Sequence, residues 1–510
     1  MDDKDVNNKY DRQVRLWNPN GQQSLMNSKI CLINVTAEAT ETLKNLVLPG
    51  VGEVVIIDHS TRVTEADLSS NFFLLDEDLG QDRAEKVAVN LSDLNSDVKV
   101  STEKRTMDDL IEDEAYWLQY GCVITCSFFD DIYDKLAELL WRSSIPLVNV
   151  AVVGFYAYLK ISNKQQTIVE THNNSLEDLR IDRPWKELQN HLDSIDIDSL
   201  DAKEVSDLPF SILLTKLFQK IEKEKGKRPN TAEIRAALRT FHLTWDETNI
   251  EEANKKAAIV MKDSCALPYN VEEIFADSSL KNLNLETPIF WIYVSALKLF
   301  YERHQTLPLS GVLPDMTSDT NHYITLQNIY KAKHESDTQE MISMISSIMD
   351  AIGRSKDDLN EQEIAALVKN SKVMEVHNGS MAKFDPHLFT EFEQDETKLH
   401  HINIYLAFLS YENFQREYKR APTSQDKSTL RTITISLLCR YDLIKNFPEG
   451  LDLVLDEMLR AEGCHMHNIC ALIGGMTAQE VIKLLTNQYI TLDNCLTFDG
   501  ISSQCSSFKI

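Results

Sequence analysis

The sequence predicts an α/β fold with a mostly parallel, doubly wound sheet, a degenerate nucleotide-binding loop and a large, mainly helical insertion. Three observations carry that expectation. Residues 29–58 run strand, helix, strand, as in one βαβ half of such a sheet. From Leu176 to about Gly463 the chain shows helical periodicity, short acidic linkers and few β-branched runs. From Ala471 to Phe498 the first texture returns. A sheet domain interrupted by helices accounts for that return most simply, with divisions at residues 1–170, 171–463 and 464–510.

Each element has its own cause. Ile30-Cys31-Leu32-Ile33 is an apolar strand, Thr36 can cap a helix, and Ala39, Leu43, Leu46 and Val47 recur at helical spacing until Pro49-Gly50 stops it. Val54-Val55-Ile56-Ile57 is a β-branched strand ending on Asp58. The connection reads Asn34-Val35-Thr36-Ala37-Glu38-Ala39. It lacks the glycines that let a phosphate approach the backbone at a helix start, and Glu38 would repel one. The unit reads as a nucleotide fold that has lost its nucleotide, or as an α/β unit that never bound one. Phe72-Phe73-Leu74-Leu75 is expected to bury an aromatic cluster, and Ala84, Val87, Ala88, Leu91 and Leu94 share one helical face. Cys122 to Thr125 is a buried strand, and Asp130-Asp131 open a helix carrying Ile132, Leu136, Leu139 and Leu140. Pro146 to Ala151 and Tyr156 to Ile161 are further strands.

Within the helical region, residues 212–230, 292–309 and 404–423 echo one another: an apolar helix, a polar or basic turn, then a proline. Their uneven spacing excludes a solenoid. Gly474-Gly475 permit close packing of a helix through Ala478, Val481, Ile482 and Leu485, and Asn494 to Phe498 is a final strand.

Composition narrows the function classes. With 52 Lys and Arg against 79 Asp and Glu, the formal charge is minus 27. That balance argues against general nucleic-acid binding and suits basic protein partners, or simply keeps a large chain dissolved. Nine scattered cysteines without a Cys-x-x-Cys pair fit reduced thiols in cytoplasm or nucleus. Met1 to Tyr10 lacks the apolar core of a signal peptide. No uninterrupted apolar run approaches ~18 residues, so no membrane span is expected.

Candidate chemistry is sparse. Cys265 has only Lys262 nearby in sequence to activate it. Cys464, His465, His467 and Cys470 cluster, but their order matches no common structural zinc spacing, and no metal is assigned there. His172, His322, His377, His400 and His401 lack acid partners that periodicity can place. Ahead of the first strand, Tyr10-Asp11-Arg12-Gln13-Val14-Arg15-Leu16-Trp17 is aromatic and basic. An arginine on a projecting segment can meet a phosphate, in its own domain or a partner's; a surface segment packed through Leu16 and Trp17 is the plainer alternative.

Taken together, the segment Tyr10 to Trp17, Leu46 to Gly52, Asn71-Phe72-Phe73-Leu74 and Gly474 to Lys483 resemble the ubiquitin-like-modifier activating enzymes. Leu176 to Arg180, Leu313-Pro314-Asp315-Met316 and Tyr323 to Asn328 resemble, more closely, the regulatory subunits of neddylation activating enzymes, also called the amyloid-precursor-protein-binding family. The resemblance implies a Rossmann-like adenylation-type domain with a degenerate site, at residues 1–170 and 464–510, around an insertion like a catalytic-cysteine domain without its cysteine. It implies an obligate heterodimer in which the catalytic subunit binds ATP and magnesium, adenylates the modifier and takes it as a thioester. This chain would bind no cofactor and would be inactive alone. Its other expected partner is a conjugating enzyme, transiently, with cullin regulation as the setting; neither nucleic acid nor membrane is expected. Departures from the active half fit this: no glycine-rich turn at Asn34 to Ala39, Ser60 for the second acid beyond Asp58, Ser70 where an arginine stands, and Arg83 for the phosphate lysine. By the same match Arg12 reaches the partner's ATP phosphates in trans, with Arg15 as runner-up. The partner interface is expected around Phe210 and at Asp315, Met316, Tyr323, Leu326, Gln327 and Asn328, although internal packing would use those side chains as well. A Sumo-type subunit, or a pathway scaffold without a catalytic group, are the alternatives.

Overall fold

The computed structural model describes residues 9–58, 62–171, 176–240, 248–392, 395–443 and 447–510. Helix α1 (Asp11–Asn27) kinks at Trp17 and Asn18, because the Pro19 ring cannot continue a helical turn. Then come β1 (Lys29–Ile33), α2 (Ala37–Val47), β2 (Glu53–Ile57), α3 (Arg83–Ser92), β3 (Lys99–Thr102), β4 (Cys122–Cys126), α4 (Tyr133–Arg142), β5 (Leu147–Val153) and β6 (Tyr156–Ser162). The helical region includes α5 (Phe210–Lys225), α6 (Ile289–His304), α7 (Thr320–Ile352), α8 (Glu396–Tyr418) and α9 (Leu451–Ala461). Helix α10 (His467–Thr486), β7 (Cys495–Asp499) and β8 (Gln504–Phe508) follow.

The eight-stranded sheet has the order β8-β7-β6-β5-β4-β1-β2-β3. From β3 to β5 the pairs are parallel, while β6, β7 and β8 join antiparallel. The expected α/β sheet is therefore present and mostly parallel. Strands β4, β5 and β6 are buried along their whole length, as sheets covered on both faces require. Register pairs Ile33 with both Ile57 and Thr125, which brings the carboxyl ends of β1, β2 and β4 level. Because β2 lies on one side of β1 and β4 on the other, that edge is the switch point where doubly wound sheets place ligands.

The chain divides into two compact units, one of residues 1–166 with 376–510 and one of residues 167–375. The helical texture runs on to Ala461, yet its part from Val376 belongs to the sheet unit. The cause is apolar: α8 and α9 bury Tyr405, Phe408, Leu455 and Met458 with Ala151, Val153, Tyr156 and Tyr158. Where this unit is interrupted its two strands of chain lie side by side. Gly379 N–H donates to the Lys164 carbonyl at 3.1 Å, and the Gln165 amide donates to Asn378 Oδ1 at 2.9 Å. In the other unit, α5 and α7 share a core of Phe210, Leu213, Phe218, Leu326 and Tyr330. The three echoing segments share a terminator. Helices α5, α6 and α8 end on Gly226, Gln305 and Lys419 in the left-handed conformation, and a proline follows three residues later in each.

Helix α10 is long and apolar enough, by length and composition alone, to cross a membrane, although Glu480 and Lys483 interrupt its apolar run. In the fold 56% of that window is buried, because α10 packs along α2 and over β5 and β6. The approach to α2 is at backbone distance. A Cβ on Gly474 would stand 2.8 Å from Glu41 Cβ, 3.0 Å from Thr42 N and 3.1 Å from the Glu38 carbonyl oxygen. Replacing Gly474 by Val is expected to cost about 1–3 kcal/mol or more, read as a lower urea midpoint; an unchanged midpoint would show that the two helices part without penalty.

Candidate functional site

Three residues follow the level strand ends: Asn34 after β1, Asp58 after β2 and Ser127 after β4. Asn34 takes a left-handed φ of +70°, which Asn tolerates better than most residues. Its side-chain amide donates to the carbonyls of Cys126 at 2.7 Å and Ser127 at 3.2 Å. The first residue of α3, Arg83, is 6% exposed and reaches across to this edge. Its Nε and Nη2 donate to the two Asp58 oxygens at 2.8 and 2.7 Å, Nη1 donates to Asp67 at 2.7 Å, and Nη2 donates also to Asn34 Oδ1 at 2.9 Å. Burial disfavours the guanidinium, but Asp58 and Asp67 outweigh it and push its pKa above the ordinary value. Burial likewise opposes the Asp67 charge, and Arg83 outweighs it, holding that carboxyl below the usual range.

At the start of α2 the fully buried Glu38 lies where helix dipoles favour an anion. Ser127 Oγ donates to its Oε1 at 2.7 Å, and His465 Nδ1 lies 2.8 Å from its Oε2. Burial would raise the Glu38 carboxyl and lower His465; their mutual attraction wins, so Glu38 is held low and His465 high. An ion supplied by the chain thus occupies the helix start where such sheets receive a phosphate, and the strand-end Asp58 is engaged by an internal arginine. Glu38 is the acid expected from the sequence to repel a phosphate. Ser60 lies outside the described residues.

The N-terminal segment is pinned at both ends. Tyr10 is 1% exposed; its hydroxyl donates to Asp97 at 3.1 Å and accepts from Asn95 at 3.0 Å. Trp17 is buried and its Nε1 donates to Gln22 at 2.9 Å. Between these anchors Arg12 is exposed, with no hydrogen bond or ion pair among the described residues, whereas Arg15 pairs with Asp11 at 3.0 Å. Of the two arginines, Arg12 is the one with its charge uncommitted. Trp17 packs as the plainer alternative expected, but Leu16 is 57% exposed.

A model of the ThiF family matches residues 10–510. The chain is 32% identical to the NEDD8-activating enzyme E1 regulatory subunits of Gallus gallus and Xenopus laevis, with 98% of each chain aligned. It is also 32% identical to the regulatory subunit AXL of Arabidopsis thaliana, over 98% of this chain and 99% of that one. The chain belongs to the ThiF family, among its NEDD8-activating enzyme E1 regulatory subunits.

In this ThiF-family chain the residues expected to meet a partner fall into two groups. Phe210 and Leu326 are 0% and 1% exposed inside the core of their own unit, so their side chains meet no partner; that part of the expectation is corrected. Apolar burial has claimed them, Phe210 at the inward-facing start of α5 and Leu326 on the inner stripe of α7. Asp315, Gln327 and Asn328 are exposed, and Met316 and Tyr323 are half-buried. Ser211 Oγ donates to Met316 Sδ at 3.4 Å, and the Tyr323 hydroxyl donates to the Pro314 carbonyl at 3.5 Å.

Contacts across large sequence separations escaped sequence reasoning. Arg183 Nη1 donates to Cys265 Sγ at 2.8 Å, a basic neighbour that local sequence did not offer. His400 lies 3.1 Å from Asp499, and His465 finds Glu38. His172 lies outside the described residues. Replacing Arg83 by Met is expected to cost about 3–5 kcal/mol, because it leaves buried carboxylates unpaired, with part recovered when Asp58 is also changed to Asn. Denaturant unfolding of the single and double variants checks this; a loss under about 1 kcal/mol would mean solvent reaches these groups readily.

Proposed function

We propose that this chain acts as the regulatory half of a heterodimeric activating enzyme for the ubiquitin-like modifier NEDD8, enabling adenylation and thioester formation on a catalytic partner. The observation that supports the proposal is a strand-end edge filled from within the chain: Glu38 lies at the start of α2 beside His465, and Arg83 engages Asp58. ATP and magnesium then belong to the partner's site, the conjugating enzyme engages the assembly transiently, and the complex works in cytoplasm and nucleus. Arg12 is the contribution of this chain to chemistry. Pinned between Tyr10 and Trp17, its forked, permanently charged group would neutralise the ATP phosphates as pyrophosphate departs. A scaffold without a catalytic group is the competing reading, and Arg12 discriminates between the two.

The deciding measurement is modifier-dependent exchange of pyrophosphate into ATP, with this chain alone, the catalytic subunit alone and the two mixed. Exchange is expected only in the mixture, and Arg12→Ala is expected to slow it on the order of 10²-fold while heterodimer assembly persists. Full exchange with Arg12→Ala leaves the scaffold reading standing, and exchange by this chain alone overturns the proposal. The proposed partner face includes Met316 and Tyr323, half-buried beside the exposed Asp315, Gln327 and Asn328. Changing Met316 and Tyr323 together to Asp is expected to weaken co-purification at least about tenfold, since central anchors carry most interface energy. Normal co-purification of a folded double variant would remove this face from the interface.

A further inference from the structure

The cluster at the start of α10 contains more than an ion pair requires. Glu38 and His465 satisfy each other at 2.8 Å, yet Cys470 Sγ also points at Glu38 Oε2, 3.8 Å away. Carboxylate, imidazole and thiol come from three places, namely the first turn of α2, the loop before α10 and the first turn of α10. All their donor atoms lie within 4.8 Å of one another. We propose that Glu38, His465 and Cys470 form a binding site for a zinc ion.

The donor set selects the metal. A thiolate with an imidazole suits zinc and disfavours magnesium or calcium, which take oxygen ligands. Zinc bonds of about 2.0 Å to oxygen and nitrogen and 2.3 Å to sulfur set ligands on a tetrahedron about 3.3–3.6 Å apart. The observed 2.8 and 3.8 Å to Glu38 Oε2 bracket that range and the His465–Cys470 separation is within 4.8 Å, so a metal enters by side-chain shifts. Ser127 Oγ holds the other Glu38 oxygen at 2.7 Å, the kind of outer contact that orients a ligand. The His465 backbone is fixed by its bridge to Gly154. Binding displaces the Cys470 thiol proton and any proton His465 shares with Glu38, and both leave to solvent. With three protein ligands, the fourth position is left to a water molecule. Local spacing concealed this site because Glu38 lies 427 residues before His465.

The test uses the full chain, stripped with a chelator and then titrated with zinc and, as a spectroscopic probe, with cobalt(II). Stoichiometric zinc binding is expected, and cobalt is expected to give the visible bands of a tetrahedral site with a thiolate-to-cobalt charge-transfer band. Cys470→Ser is expected to abolish that charge transfer, and His465→Gln to weaken zinc binding at least about 100-fold. Absence of stoichiometric zinc, or a cobalt spectrum and zinc affinity unchanged in both Cys470→Ser and His465→Gln, overturns the site.

Discussion

The contact of α10 with α2 at Gly474 is the constraint on which the sheet unit depends. Two helices more than 400 positions apart in sequence meet at backbone distance, which is possible only where one of them presents no side chain. That approach fixes the height of the first turn of α10 above the first turn of α2. It carries His465 and Cys470 to Glu38, and it brings His467 over Phe72, with ring centroids 3.6 Å apart. It also delivers the chain to β7, whose pairing with β6 continues the sheet beyond its parallel part. The chemistry of the strand-end edge is thus set by a packing decision made on one helix face.

The second theme is compensation of buried charge. Removing Glu38 and Arg83 from water carries a penalty of several kcal/mol per ion in general. The fold offsets it with forked hydrogen bonds from Arg83 to Asp58 and with Ser127 and His465 around Glu38. Such an arrangement is sensitive to loss of any one member, because the remaining charge stays buried. Internal ion pairs hold the strand-end edge of this sheet together. The exposed N-terminal arginine stands outside this network, which is why its charge remains available.

Much of the fold was legible because strands buried on both faces read as continuous apolar runs and amphipathic helices repeat at fixed spacing. The run Ile30 to Ile33, the terminator at Pro49-Gly50 and the prolines after α5, α6 and α8 are local signals, and the structure repeats them. The degenerate loop was legible because a missing glycine and a misplaced acid are also local. Membership of the core was harder to read. Phe210 and Leu326 have the composition of interface anchors, and only the packing of α5 and α7 shows that they face inward. The division at Val376 depends on which surface α8 covers, and no periodicity within α8 names that surface. Arg183 beside Cys265, and Cys470 beside Glu38, arise from chain crossings that sequence spacing does not encode. The apolar character of α10 has a burial cause that composition alone cannot separate from a membrane-spanning one.

The side-by-side passage of the chain at Lys164 and Gly379 has a consequence for biosynthesis. Strands β1 to β6 are made first, and the elements that complete their unit, α8 to α10 with β7 and β8, emerge only after residues 167–375. At typical elongation rates of about 5–20 residues per second, that delay is roughly tens of seconds. Throughout it, the β6 edge that will receive β7 and the surface of α2 that will receive α10 are uncovered, an open strand edge of the kind that invites mispairing. A nascent chain with this topology has to be kept from premature association until its last helix and strands arrive.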